Sequence, residues 1–541
     1  MNLMKRLWLA VILLLAVPAT TAPVGAQPAR PKLVVFIVVD QLRADYLVRY
    51  GGLLQHGFKR LTTQGAYYKD AAFPYLTTVT CPGHATIGTG THPYRHGMIS
   101  NAWYDRTTGR GITCNDDPGA TDVGYAAGPA GPGDSATNMR VPALAEVMAG
   151  SLKSRVAVMS MKGRSAIGLA GHTAGFVTWF GDRNAWKTSS VFSRAPVPWF
   201  VAYLKGNPPE RDAGKTWVRT LPAERYTYED DAPGERGAGG WGATFPHPMG
   251  AADDAAYSAH WMQSPYLDEY LGRMAEAAVD KMHLGTQERT DFLGISFSSM
   301  DSVGHGYGPR SHEIQDMLVR LDATVGRLLD HLDKKVGAGN YLVALSADHG
   351  VADLPEQNAD GGRQPATTVR AVIEAAVKPA LGGEGPSIAA FFGADVYFKP
   401  GIYDRLKADP TALRAATAAA EALPGVARVF RSEEISTADA RSSQDAQLRA
   451  AALSHFPGRS GDLTVLVKEH WIMTASGTTH GTLYDYDRRV PLILYGAGIR
   501  AGVHGEPATP ADLAVTVATL IGVTLPSPDG RVLTGALKTR N

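Results

Sequence analysis

The chain has 541 residues, 44% hydrophobic and 19% charged, enough to bury one large core and carry sizeable insertions. Lysine and arginine number 53 against 52 aspartates and glutamates, a formal net charge of +1. That balance excludes a bulk electrostatic partner such as nucleic acid, so any affinity for anions has to be local.

The chain opens on a secretory pattern. Lys5 and Arg6 form a basic start, Leu7 to Val17 an apolar run, and Val24-Gly25-Ala26 a small-residue cleavage site before Gln27. An apolar run of about 11 residues is too short to span a bilayer, and no later segment reaches the roughly 18 a membrane helix needs. Residues 1–26 are therefore expected to be a signal peptide. Residues 28–541 are expected to form one soluble domain, periplasmic or secreted, with no membrane attachment after signal removal.

Leu33 to Val39 is an unbroken β-branched and aromatic run ending at Asp40, the pattern of a parallel strand buried on both faces. Similar runs follow at Phe292–Phe297, Tyr341–Leu345 and Val490–Tyr495. Between them, apolar residues from Ile314 to Leu332 recur at three- and four-residue steps, an amphipathic helix. Pro510 to Ile521 reads as another helix, closed by Gly522. The alternation predicts an α/β sandwich: a central mixed, mostly parallel sheet flanked by helices. Two stretches break the pattern, about 185–260 and about 360–475, and are expected to be insertions that cap the site.

The segment Thr77 to Gly90, Thr-Thr-Val-Thr-Cys-Pro-Gly-His-Ala-Thr-Ile-Gly-Thr-Gly, offers hydroxyls beside small residues. Thr86 to Gly90 reads as the start of a helix, whose free amides favour an anion. Thr80 is the best-placed nucleophile, activated through metal coordination. Cys81 and Cys114 are the only cysteines. They either pair in an oxidising compartment or stay buried thiols, and the unpaired state is preferred.

Metal-ligand spacing recurs three times, in Asp301-Ser-Val-Gly-His305, in Asp348-His349 and in His480-Gly481. With Asp40 these supply three carboxylates and three imidazoles, a set that suits two zinc ions better than one. Two such ions roughly 4 Å apart clamp an in-line displacement at phosphorus. Asp/His sites also take manganese or iron.

Together these segments resemble the alkaline phosphatase superfamily, on its nucleotide pyrophosphatase/phosphodiesterase-like branch. The matching segments are Val39-Asp-Gln-Leu-Arg43, Thr80-Cys-Pro-Gly-His84, Asp301 to Pro309, Ser346-Ala-Asp-His-Gly350 and His480 to Asp485, in the family's order. The resemblance implies one zinc on Asp40, Asp348 and His349, in contact with Thr80, and a second on Asp301, His305 and His480. It leaves His84 a supporting role. Sulfatases of the superfamily need a Cys or Ser converted to an aldehyde, and Thr80 cannot supply one. The related phosphoglycerate mutases use Ser and manganese in the cytoplasm.

Lys162-Gly-Arg164 separates monoesters from diesters. A monoester carries two charges over three non-bridging oxygens and gains from extra cations. Read as extended chain, the pair points one way and both cations reach one phosphate. The phosphate-irrepressible alkaline phosphatases of this branch have such a pair, a Thr nucleophile and an Asn, which Asn101 in Ser100-Asn-Ala-Trp-Tyr104 matches. The expectation is a monomeric, zinc-dependent, broad-specificity hydrolase of small phosphate monoesters, working through a phosphothreonine on Thr80. A phosphodiesterase of the same superfamily and a non-catalytic metal- or phosphate-binding protein are the alternatives.

Overall fold

The computed structural model describes residues 30–126, 131–172, 175–181, 185–237, 239–383 and 385–538. The expected signal peptide lies outside them. Among the described residues no helix is long and apolar enough to cross a membrane.

Eleven strands form the main sheet. In chain order they are β1 (Leu33–Val39), β2 (Ala66–Tyr68), β3 (Asp116–Gly124), β4 (Pro132–Asp134), β5 (Val156–Ser160), β6 (Phe176–Gly181), β7 (Ala185–Ser189), β8 (Asp291–Phe297), β9 (Tyr341–Ser346), β10 (Leu492–Gly496) and β11 (Gly502–His504). Their spatial order is β11-β2-β10-β9-β1-β8-β5-β6-β7-β3-β4. The middle five, β9 to β6, run parallel, while β10 and β7 flank them antiparallel. The expected mixed sheet is therefore present, with its parallel part at the centre.

Strand β1 shows why the sheet sits between helices. All seven of its residues are buried. Leu33, Val35, Ile37 and Val39 belong to one core cluster, and Val34, Phe36 and Val38 to another. The period-2 alternation of a strand thus feeds two apolar layers at once. Six helices matter for these layers: α1 (Thr80–Thr89), α2 (Gly163–Ala170), α3 (Pro265–Met282), α4 (Ser299–Tyr307), α5 (His312–Leu332) and α6 (Ala511–Ile521). Leu271 and Met274 of α3 and Leu318, Val325 and Leu329 of α5 pack in the first layer. Ile87 of α1, Ile167 of α2 and Leu513 and Val517 of α6 pack in the second.

The two expected insertions need refining. Residues 185–189 belong to the main sheet as β7, because buried Trp186 packs on Phe180 and Tyr270. The first excursion begins only after that strand. The second is a small unit with its own core. Strands Ile388–Phe392, Asp395–Phe398, Leu463–Val467 and Val426–Arg431 make an antiparallel sheet in that order. Helices Ala366–Leu381 and Pro410–Glu421 pack Val369, Ile373, Leu413 and Ala416 against its Val396, Val429 and Val465.

Candidate functional site

The site residues hang from the C-terminal edge of the parallel strands, where open α/β sheets bind ligands. Asp40 follows β1 directly, Lys162 follows β5, Asp301 follows β8 on the first turn of α4, and Asp348-His349 follow β9. His305 is one turn beyond Asp301 on α4, so both face the same way. Asp268 of α3 fixes the start of that helix. Its Oδ1 accepts the backbone N–H groups of Ser298 and Ser299 at 3.1 and 3.3 Å.

Two triads assemble there. Asp40, Asp348 and His349 bring one ligand atom each within 4.8 Å of the others, and so do Asp301, His305 and His480. The rings of His349 and His480 stack with centroids 3.5 Å apart, which joins the triads. All three imidazoles are oriented alike. Nδ1 of His305, His349 and His480 lies 2.9 Å from the backbone carbonyl of Thr478, Gly350 and Thr78 respectively. A carbonyl only accepts, so each Nδ1 carries the proton and each Nε2 is turned toward the carboxylates.

His349 Nε2 sits 3.4 Å from Asp40 Oδ1 and 3.3 Å from Asp348 Oδ2. Burial, against the pull of Asp348, holds His349 down at about 3, so its Nε2 is a bare lone pair facing oxygen lone pairs. Asp40 Oδ1 is buried and has no hydrogen-bond partner. A cation among them would satisfy those facing lone pairs. The donors are neutral imidazoles and carboxylates with fixed outer partners, and they fit two divalent transition-metal ions.

Lys162 lies between the triads. Its Nζ is 2.6 Å from Asp40 Oδ2 and 2.5 Å from Asp301 Oδ2. Burial works against its charge, but Asp301 and Asp40 outweigh it and raise its pKa. In turn Asp301 is held well below the usual carboxylate range, since Lys162 and His305 overcome its burial. Burial, with Asp301 and Asp348 alongside, pushes Asp40 the other way. The Lys162–Arg164 segment is not extended as expected. Lys162 caps α2 and Gly163 starts it, which puts Arg164 in the helix's first turn with a buried, unpartnered Nε.

Thr80 is buried, with its Oγ1 3.5 Å from His349 Nε2. Helix α1 begins at Thr80 itself, not at Thr86, so the hydroxyl stands at the helix's N-terminal end. Gly83 permits this placement: a Cβ there would stand 2.2 Å from the Asp348 carbonyl. His84 bridges the Thr80 carbonyl at 2.9 Å and the Ser296 hydroxyl at 2.8 Å. Asn101 Oδ1 accepts the Cys81 N–H at 2.9 Å, which leaves its NH2 group free to donate. Cys81 and Cys114 are bonded to each other, contrary to the preferred unpaired state. Residues 102–113 form a hairpin that returns Cys114 to the start of α1.

Gln41 is a site residue that the sequence does not announce, although it stands inside the Val39–Arg43 segment. Its Nε2 donates to Asp301 Oδ1 at 2.6 Å and its N–H to Asp348 Oδ1 at 3.2 Å, so it ties one triad to the other. It does so at φ 68°, a left-handed conformation rare outside glycine. Asp487, buried and pushed up to about 6 by that burial, accepts the Thr482 N–H and hydroxyl and steadies the loop after His480. A lone Gln or Asp has no spacing signal, so only the fold reveals either one.

A family model described as type I phosphodiesterase/nucleotide pyrophosphatase matches residues 34–489. The chain belongs to that family. Among its curated relatives, alkaline phosphatase PafA of Elizabethkingia meningoseptica is 32% identical over 95% of this chain and 96% of its own length. Alkaline phosphatase PhoV of Synechococcus elongatus is 31% identical over 94% of each chain. A crystal structure of wild-type alkaline phosphatase PafA superposes with a TM-score of 0.87 at 31% identity, over 94% of this chain and 99% of that one. This member of the type I phosphodiesterase/nucleotide pyrophosphatase family thus shares its fold, over 94% of the chain, with alkaline phosphatase PafA.

Proposed function

We propose that this chain is an exported, zinc-dependent alkaline phosphatase that hydrolyses small phosphate monoesters through a phosphothreonine on Thr80. The observation that carries the reading is a pair of Asp/His triads bridged by a buried Lys162, with the Thr80 hydroxyl beside His349 of one of them. Asp40, Asp348 and His349 would hold one metal ion, and Asp301, His305 and His480 the other. Bound there, the ions lower the proton affinity of the nucleophile and offset charge on the leaving oxygen.

The chain's own residues do the rest. The Thr80 oxygen attacks phosphorus in line, forming the Oγ–P bond as the ester P–O bond breaks and the alcohol leaves. Water then cleaves the Oγ–P bond, releasing inorganic phosphate and restoring the Thr80 hydroxyl. Lys162 contributes a point charge, Arg164 a fork of donors and Asn101 a single N–H donor to the non-bridging oxygens throughout. The N-terminal end of the α1 dipole adds partial positive charge.

A second reading, phosphodiesterase, is favoured by the description of the family model. Lys162 counts against it, because a diester has one charge fewer for that cation to match. Chelator-treated protein tests the metal requirement. Its hydrolysis of p-nitrophenyl phosphate is expected to vanish and to return with added zinc, saturating near two equivalents per chain. Full activity without metal, or saturation at one equivalent, contradicts the proposal.

A further inference from the structure

We propose that the Cys81–Cys114 disulfide is a positioning device for Asn101, and it rests on the reading of Asn101 as a phosphate ligand given above. Two backbone donors grip Asn101. The Cys81 N–H donates to its side-chain Oδ1 at 2.9 Å, and the Cys114 N–H donates to its main-chain carbonyl at 3.0 Å. The residues that supply those donors are the same two that the disulfide joins, across a sequence separation of 33. One covalent bond therefore closes both grips on one residue.

The grips come from different elements. Cys81 is the second residue of α1, next to Thr80. Cys114 ends the hairpin of strands Ala102–Asp105 and Arg110–Thr113, which starts directly after Asn101. The disulfide thus fixes the hairpin base to the helix that presents the nucleophile. With Oδ1 occupied by a donor, the amide NH2 is the part of Asn101 left to meet a phosphate oxygen, so its aim depends on the Cys81 grip. Both cysteines are buried, at 2% and 0% exposure, so the bond is a staple shielded from exchange with solvent thiols. Asn138 Nδ2 also donates to the Cys114 carbonyl, at 3.2 Å. That bond holds the hairpin base without the disulfide, but it does not touch Asn101.

A small misplacement of a transition-state ligand costs up to about 100-fold in rate, so the staple has a kinetic signature beyond stability. The test is a double-mutant cycle of wild type, Asn101→Ala, Cys114→Ala and the double variant, all metal-loaded. kcat/KM for p-nitrophenyl phosphate is read well below every Tm, and free thiols and zinc are counted in each protein. Cys114→Ala is expected to lower kcat/KM about tenfold with zinc content unchanged. Asn101→Ala is expected to cost about 30-fold in disulfide-bonded protein and less than about threefold beside Cys114→Ala.

A purely structural staple lowers Tm and leaves the Asn101→Ala loss equal in both backgrounds, and that result overturns the proposal. If Asn101→Ala costs nothing even with the disulfide formed, the assignment of Asn101 to phosphate falls and the staple's role falls with it. Should Cys114→Ala not fold, wild-type and Asn101→Ala chains prepared with reduced, counted thiols supply the same comparison. There too, a smaller Asn101→Ala loss in the reduced protein supports the proposal, and an equal loss overturns it.

Discussion

Replacing Lys162 and Arg164 together by alanine is expected to lower kcat/KM for a phosphate monoester by about 1000-fold, and for the matching diester by less than about tenfold. The asymmetry follows from charge. A monoester brings a second negative charge and a third free oxygen, and both need a cation that the metal ions do not already supply. Lys162 lies between the triads, 2.6 and 2.5 Å from Asp40 and Asp301, and Arg164 follows in the first turn of α2. A diester fills that position with an organic group and gains little from either side chain. Lys162 also balances two buried carboxylates, so zinc content has to be measured beside activity. Equal losses on both substrates at full zinc occupancy would reduce Lys162 and Arg164 to structural roles.

Thr80→Ala is expected to remove at least about 1000-fold of the monoesterase activity while leaving zinc content within about 20% of wild type. The triads are complete without the hydroxyl: six side chains would supply the ligand atoms, and backbone carbonyls and Gln41 hold His305, His349, His480 and Asp301 in place. What disappears is the atom that, on this proposal, forms the bond to phosphorus. A variant that keeps more than about a tenth of wild-type turnover would mean that water attacks directly and that no phosphothreonine forms.

The sequence carried the frame of this site well, for a physical reason. Parallel strands buried on both faces read as unbroken apolar runs, so β1, β8 and β9 were visible from local sequence pattern, and their C-terminal ends placed Asp40, Asp301 and Asp348. The i,i+4 spacing of Asp301 and His305 reported a helix face. Three features stayed hidden because they depend on contacts between distant segments. Gln41 acts through a left-handed backbone and two long-range hydrogen bonds. The Lys162–Arg164 turn depends on where α2 begins, and element boundaries are weakly encoded. The pairing of Cys81 with Cys114 depends on a hairpin returning to α1, which no local pattern announces.

The preference between monoester and diester tests the account most directly. kcat/KM of zinc-loaded protein is compared for p-nitrophenyl phosphate and bis-p-nitrophenyl phosphate in one alkaline buffer. A monoester preference of at least about 100-fold is predicted, since on this proposal Lys162 and Arg164 meet the extra charge and third free oxygen that only a monoester brings. A preference for the diester would contradict the proposed function and return the chain to the phosphodiesterase reading.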